Sequence, residues 1–168
     1  VEAYRRANDE AGLATVLGTL GFALTRLERY SEARAVLNEA DEVARRSGNA
    51  RALAGALVGQ AKCARYQRDV LLAEQLYEAA LSVAKQERRA AIPEIHDGLG
   101  LVALAKGDLV ASREYLVRAL EQARVEGQQR LQVIFSADLA AVALLADDET
   151  TTIGPTRLSS GDGWARPS

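Results

Sequence analysis

No methionine occurs among the 168 residues, and cysteine, histidine and tryptophan appear once each. A single cysteine, Cys63, excludes an internal disulfide and fits a reducing cytosol. One Cys and one His cannot supply the three or four nitrogen and sulfur ligands of a structural metal site, so neither metal nor cofactor is expected. The missing Met, an initiator included, reads as a processed product or, better, as a segment cut from a larger protein. There is no secretory h-region and no run of about 18 apolar residues that would span a membrane, so a cytoplasmic protein without membrane contact is expected. Net charge is only −2. A nucleic-acid binder carries a strongly basic face, so no nucleic-acid contact is expected, although residues 51–90 have a positive surplus.

What is abundant is Ala and Leu, within a hydrophobic content of 48%, while aromatics stay at 5%. Both residues favour helix, and small side chains suit helices packed closely, so an all-α chain is expected. The pattern Ala-x3-Leu/Tyr-x2-Ala occurs as Ala33-Leu37-Ala40 and Ala73-Tyr77-Ala80, with a weaker copy at Ser112-Leu116-Ala119. The steps of 40 and 39 residues mark one supersecondary unit repeated.

Aligned on that period, the first helix of each unit covers about 11–27, 50–67, 91–106 and 130–146, and the second about 30–47, 70–87 and 109–126. Apolar residues recur at helical spacing in the first helices: Val16, Leu17, Leu20, Leu24 and Leu27, then Ala56, Leu57, Ala61 and Ala64, then Ile95, Leu99, Val102 and Ala103. Gly107 suits a left-handed helix end, Ser31 and Asp108 are candidate N-caps, and Pro93 fits the first turn of a helix. Tyr4-Arg5-Arg6 aligns with Ala44-Arg45-Arg46, so residues 1–10 read as the end of a preceding helix. Full repeats are then expected at 11–49, 50–89 and 90–129, with a last helix at 130–146, giving a domain over 1–149. Residues 150–168 read as a tail or linker. Within it Trp164 reads as a solvated residue, with anchoring on an apolar groove as the alternative.

These residues resemble the tetratricopeptide repeat in a form of about 40 residues. Leu17, Leu20-Gly21, Leu24, Tyr30, Ala33, Leu37 and Ala40 match in the first unit, with Glu28 in place of the turn glycine. Leu57, Ala61, Ala64, Ala73, Tyr77 and Ala80 match in the second, with Gln60 where Leu is expected. Leu99-Gly100, Ala103, Gly107, Leu116 and Ala119 match in the third, with His96 and Ser112 as departures. The resemblance implies a right-handed α-solenoid of stacked antiparallel helix pairs, about 3.5 repeats long. On the residues themselves, Gly21, Ala61 and Gly100 let the helices of a unit approach, opposite Ala33, Ala73 and Ser112. Leu37, Tyr77 and Leu116 fill the space between units, and no unit buries its apolar face alone.

No catalytic constellation is visible, so an enzyme is not expected. Gly98-Leu99-Gly100-Leu101-Val102-Ala103 has the glycine spacing of a dinucleotide motif but follows no strand. His96 reads as a half-buried structural residue, and Cys63 as a small hydrophobe. In the fold the resemblance implies, first helices line a concave face. The partner-binding candidates there are Thr15, Phe22 and Arg26, then Lys62, Arg65 and Tyr66, then Asp97, Leu101 and Leu104. The aromatics offer amphipathic contact area, and Arg26, Lys62 and Arg65 a positive patch for a carboxylate. A solvated face whose Arg and Lys stems cover Ala-rich surface is the plainer reading. Relatives that clamp a chaperone's C-terminal carboxylate use Lys and Asn where Gly18 and Phe22 stand here, so that clamp is not expected.

Three functions stay open. One is a protein- or peptide-binding module of a larger bacterial-type regulator, similar to the C-terminal arrays of large ATP-dependent transcription regulators. Another is a self-associating scaffold, with Ile134, Val142, Leu144 and Leu145 partly exposed on an open end. The third is a small-molecule sensor, which a closed apolar pocket between first helices would favour.

Overall fold

A computed structural model describes residues 1–86 and 92–152, with side chains through Ala146. Among these residues the protein is all-α, with eight helices and no strand: α1 (Glu2–Ala7), α2 (Glu10–Arg26), α3 (Tyr30–Arg46), α4 (Ala50–Tyr66), α5 (Val70–Gln86), α6 (Pro93–Ala105), α7 (Leu109–Val125) and α8 (Gln129–Thr152). The expected boundary between the second and third repeats, at residues 89 and 90, lies outside the described residues, as does Trp164 in the tail.

The turns explain where each helix stops. Asn8, Glu28, Gly48, Arg68, Gly107 and Gly127 all adopt left-handed backbone, with φ from 54° to 80°. In each case the following N–H returns to a carbonyl in the last helical turn: Asp9 to Tyr4, Arg29 to Leu24, Asn49 to Ala44, Asp69 to Ala64, Asp108 to Ala103 and Gln128 to Ala123. This closure satisfies carbonyls that a helix end otherwise leaves open. Asp9, Asn49, Asp69 and Asp108 then start the next helix by accepting the N–H of Gly12, Ala52, Leu72 and Ala111. Ser31 does not cap: α3 begins one residue earlier, with Arg29 at the N-cap position and ion-paired to Glu32. Pro93 is the first residue of α6, where its missing N–H removes no helical bond.

Neighbouring helices pack in pairs, α2 with α3, α4 with α5 and α6 with α7. Each second helix also packs on the first helix that follows, while α2, α4, α6 and α8 touch in succession. Large buried side chains set into small ones hold this order. Leu37 lies against both Gly21 of α2 and Gly59 of α4, where an added Cβ would meet its side chain at 2.4 and 2.5 Å. Tyr77 lies against Gly98 of α6, and Leu116 against Gly100. Leu37, Tyr77 and Leu116 are fully buried. Removing side chains of this size from water contributes about 1.5–3 kcal/mol each.

Five expectations need correction. Leu20 and Leu27 are 39% and 66% exposed, because α2 needs only Leu13, Leu17 and Leu24 to cover its partner. Val142 is only 2% exposed, being placed on the inner stripe that Leu131, Phe135 and Leu139 begin at helical spacing. The last helix does not end at 146 but runs to Thr152, since nothing in Asp147–Thr152 breaks a helix. Over Gln129–Ala146 it is also long and apolar enough to cross a membrane by length and composition, despite Arg130 and Asp138. The run is not a continuous apolar stretch in the sequence, because these two charges interrupt it.

Substitutions at glycine separate contact from propensity. A Cβ on Gly98 would lie 2.1 Å from Cζ of the buried Tyr77 ring, so Gly98→Ala is expected to destabilise by about 2–3 kcal/mol. Gly55 faces open space on α4, so Gly55→Ala is expected to stabilise by about 0.5–1 kcal/mol. Urea unfolding of both variants checks the pair, and a neutral Gly98→Ala would contradict the packing.

Candidate interaction surface

Six of the residues expected on the first helices come together across α2, α4 and α6. Arg26 of α2 donates from Nη1 to the Tyr66 hydroxyl of α4 at 3.2 Å. The Lys62 ammonium stands 5.1 Å from the centroid of the Phe22 ring, and the Arg65 guanidinium 5.2 Å from that of Tyr66. Both are cation–π distances. Asp97 of α6 completes the group and is 8% exposed. The remaining three stand apart. The Thr15 hydroxyl donates to its own helix at the Ala11 carbonyl, 3.0 Å away. Leu101 and Leu104 are half-buried on α6 and join none of the polar contacts described.

The charges on this face answer one another. Burial pulls the Lys62 ammonium below its ordinary value, while Glu94 and Asp97 act to restore it. Burial pushes the Asp97 carboxyl up to about 7, the neighbouring Asp138 of α8 adds to the rise, and Lys62 and Arg65 oppose it. Tyr77 reaches this cluster from α5; burial raises its phenol to about 12 against the pull of Arg65. Arg65 Nε, Tyr77 Oη and Asp97 Oδ1 are buried and make no hydrogen bond of ordinary geometry, although Arg65 lies near Tyr77 and Asp138 near Asp97. Such atoms are costly, so this cluster is held together by the surrounding packing.

Glu94, Asp138 and Tyr77 were not foreseen in the cluster. Asp138 left little signal, because the apolar position one 40-residue step after Leu99 is filled by Leu139 and Asp138 only precedes it. Glu94 precedes Asp97 by three residues and shares its face. Tyr77 gave none, since its ring serves the core and only its hydroxyl reaches the cluster.

His96 is half-buried, with Nδ1 at 2.7 Å from Gln122 Oε1 and its ring stacked 6.3 Å from Tyr115. Burial lowers its pKa. Cys63 is buried with Leu24, Ala33 and Leu37. Among the described residues no group of three or more His, Cys, Asp or Glu is arranged to hold a metal ion. A cavity of about 800 Å³ opens between α7 and α8, and one of about 250 Å³ among α3, α4 and α5. Neither includes a residue expected on the first-helix face.

The Asp97 carboxyl makes stability depend on pH. Its folded value of about 7 stands above the ordinary carboxyl value of 3.8. The folded state therefore binds the proton more tightly than the unfolded chain. That contribution is fully present below about pH 4 and is lost as pH rises through 7. Asp97→Asn mimics the protonated form. It is expected to match the parent near pH 4 and to exceed it at pH 8 by on the order of 2–4 kcal/mol. Urea midpoints at the two pH values check this, and an equal difference at both would contradict it. Against known proteins, no family model matches this chain and no curated protein matches it.

Proposed function

We propose that this chain is a protein-interaction module, a right-handed stack of antiparallel helix pairs similar to tetratricopeptide repeats, serving within a larger regulatory protein. Its first helices α2, α4, α6 and α8 form the groove, and the ligand is a peptide segment of a partner. The observation that carries this reading is the meeting of Phe22, Arg26, Lys62, Arg65, Tyr66 and Asp97 from three helices on one face. Aromatic and Arg anchors fixed by mutual contacts lose little entropy on binding. Because Glu94, Asp97 and Asp138 offset Lys62 and Arg65, the face suits a peptide of mixed charge better than a purely acidic one. The sensor reading gains no support, since both cavities adjoin second helices.

A peptide array probed with the chain, followed by titration of the best binder, tests the reading. Lys62→Glu with Arg65→Glu is expected to weaken binding at least tenfold, and undiminished binding would remove this face from the account.

Self-association is a second reading, favoured by Val133, Ile134, Leu144 and Leu145, all exposed on α8. Sedimentation over a concentration series would then show a dimer that Ile134→Lys with Leu144→Lys abolishes. A monomer at every concentration would exclude it.

A further inference from the structure

The cavity among α3, α4 and α5 departs from the repeat around it. Its walls are Arg34 and Asn38 of α3 and Leu72 and Leu76 of α5, and its floor is a stripe of α4, Gln60, Cys63 and Ala64, continued by Gln67 just past the helix end. That stripe recurs at i, i+3, i+4, i+7 and points away from Lys62, Arg65 and Tyr66. The cavity shares no residue with the first-helix cluster.

One period later the same stripe reads Leu99, Val102, Ala103 and Lys106. There Lys106 closes the space by bonding Glu74 of α5 at 2.6 Å. In the earlier cavity Gln60 and Gln67 replace Leu99 and Lys106, and no ion pair described crosses it. Gln60 is also the position where the repeat pattern calls for Leu. Local departures from an otherwise consistent pattern are where function concentrates.

The polar groups that result are of one kind. Gln60 Nε2 donates to Asn38 Oδ1 at 3.1 Å, which leaves Asn38 Nδ2 as a donor and Gln60 Oε1 as an acceptor. Gln67 Nε2 donates to the Cys63 thiol at 3.2 Å, leaving Gln67 Oε1 as a further acceptor. A carboxamide presents the same donor and acceptor as a peptide unit, so this set complements a backbone C=O and N–H. Leu72 and Leu76 opposite supply apolar surface, Leu72 being 43% exposed. Arg34 and Asp69 add one charge of each sign, so the lining favours no net ligand charge.

We propose that the cleft among α3, α4 and α5 binds a short extended peptide, with Asn38, Gln60 and Gln67 pairing its backbone amides and Leu72 and Leu76 taking an aliphatic side chain. A volume of about 250 Å³ suits one side chain with its flanking peptide units, so binding by this cleft alone is weak.

The test is an NMR titration of the whole chain with N-acetyl, C-amide Gly-Leu-Gly, with 3-methylbutanol as the hydrocarbon control. Saturable shifts of the Asn38, Gln60 and Gln67 side-chain amides are expected. Gln60→Leu, which restores the repeat's own residue, and Gln67→Leu are each expected to weaken binding about tenfold while leaving the thermal midpoint within a few degrees. The peptide failing to saturate these shifts would overturn the proposal. So would equal binding of 3-methylbutanol, or unchanged affinity in both Gln60→Leu and Gln67→Leu.

Discussion

One recurring contact sets the geometry of this protein: a large side chain on a second helix held against small residues on the first helices. Leu37 between Gly21 and Gly59 shows it fully, and Tyr77 on Gly98 and Leu116 on Gly100 repeat it. Leu37 touches its own first helix and the next, Tyr77 the next and Leu116 its own, so between them these contacts fix both a pair and its neighbour. Interiors are packed too tightly for such a contact to slide, so register is carried from pair to pair. Side-by-side first helices follow from it, and so does the meeting of Phe22 and Arg26 with Lys62, Arg65 and Tyr66.

Much of this was legible in the sequence because small residues at fixed spacing have few alternative uses. The 40-residue recurrence located all the long helices to within about two residues at their starts. It missed a finer period. Left-handed turns fall 20 residues apart at 8, 28, 48 and 68, and again at 107 and 127, but only three of the six are glycine. Asn tolerates that backbone, whereas Glu28 and Arg68 adopt it at a cost of about 1–2 kcal/mol, so composition concealed them. Gly98 was concealed differently. Its neighbour Gly100 accounted for the local motif, and only the Tyr77 ring shows that Gly98 is also required to be small.

The candidate surface was half legible. Helical spacing placed the α2 and α4 residues on one face, which is a property of a single helix. The acidic side of the cluster joins α6 to α8 and draws in a hydroxyl from α5, which is a property of several helices together. Hence the positive patch expected from Arg26, Lys62 and Arg65 becomes a balanced one, in which burial governs Asp97 and Lys62 more than any single neighbour does. Likewise Gln60, a mismatch in the sequence, becomes the floor of a cleft once Asn38 and Leu76 are beside it.

The knob contact itself is open to direct observation. In a nuclear Overhauser spectrum of the chain, Leu37 methyl protons should show cross-peaks to the Hα protons of both Gly21 and Gly59. Tyr77 ring protons should show them to Gly98 Hα, with that resonance shifted upfield by the ring. A Leu37 that meets only one of its two glycines, or a Gly98 Hα without the Tyr77 cross-peak, would contradict the packing on which the first-helix surface depends.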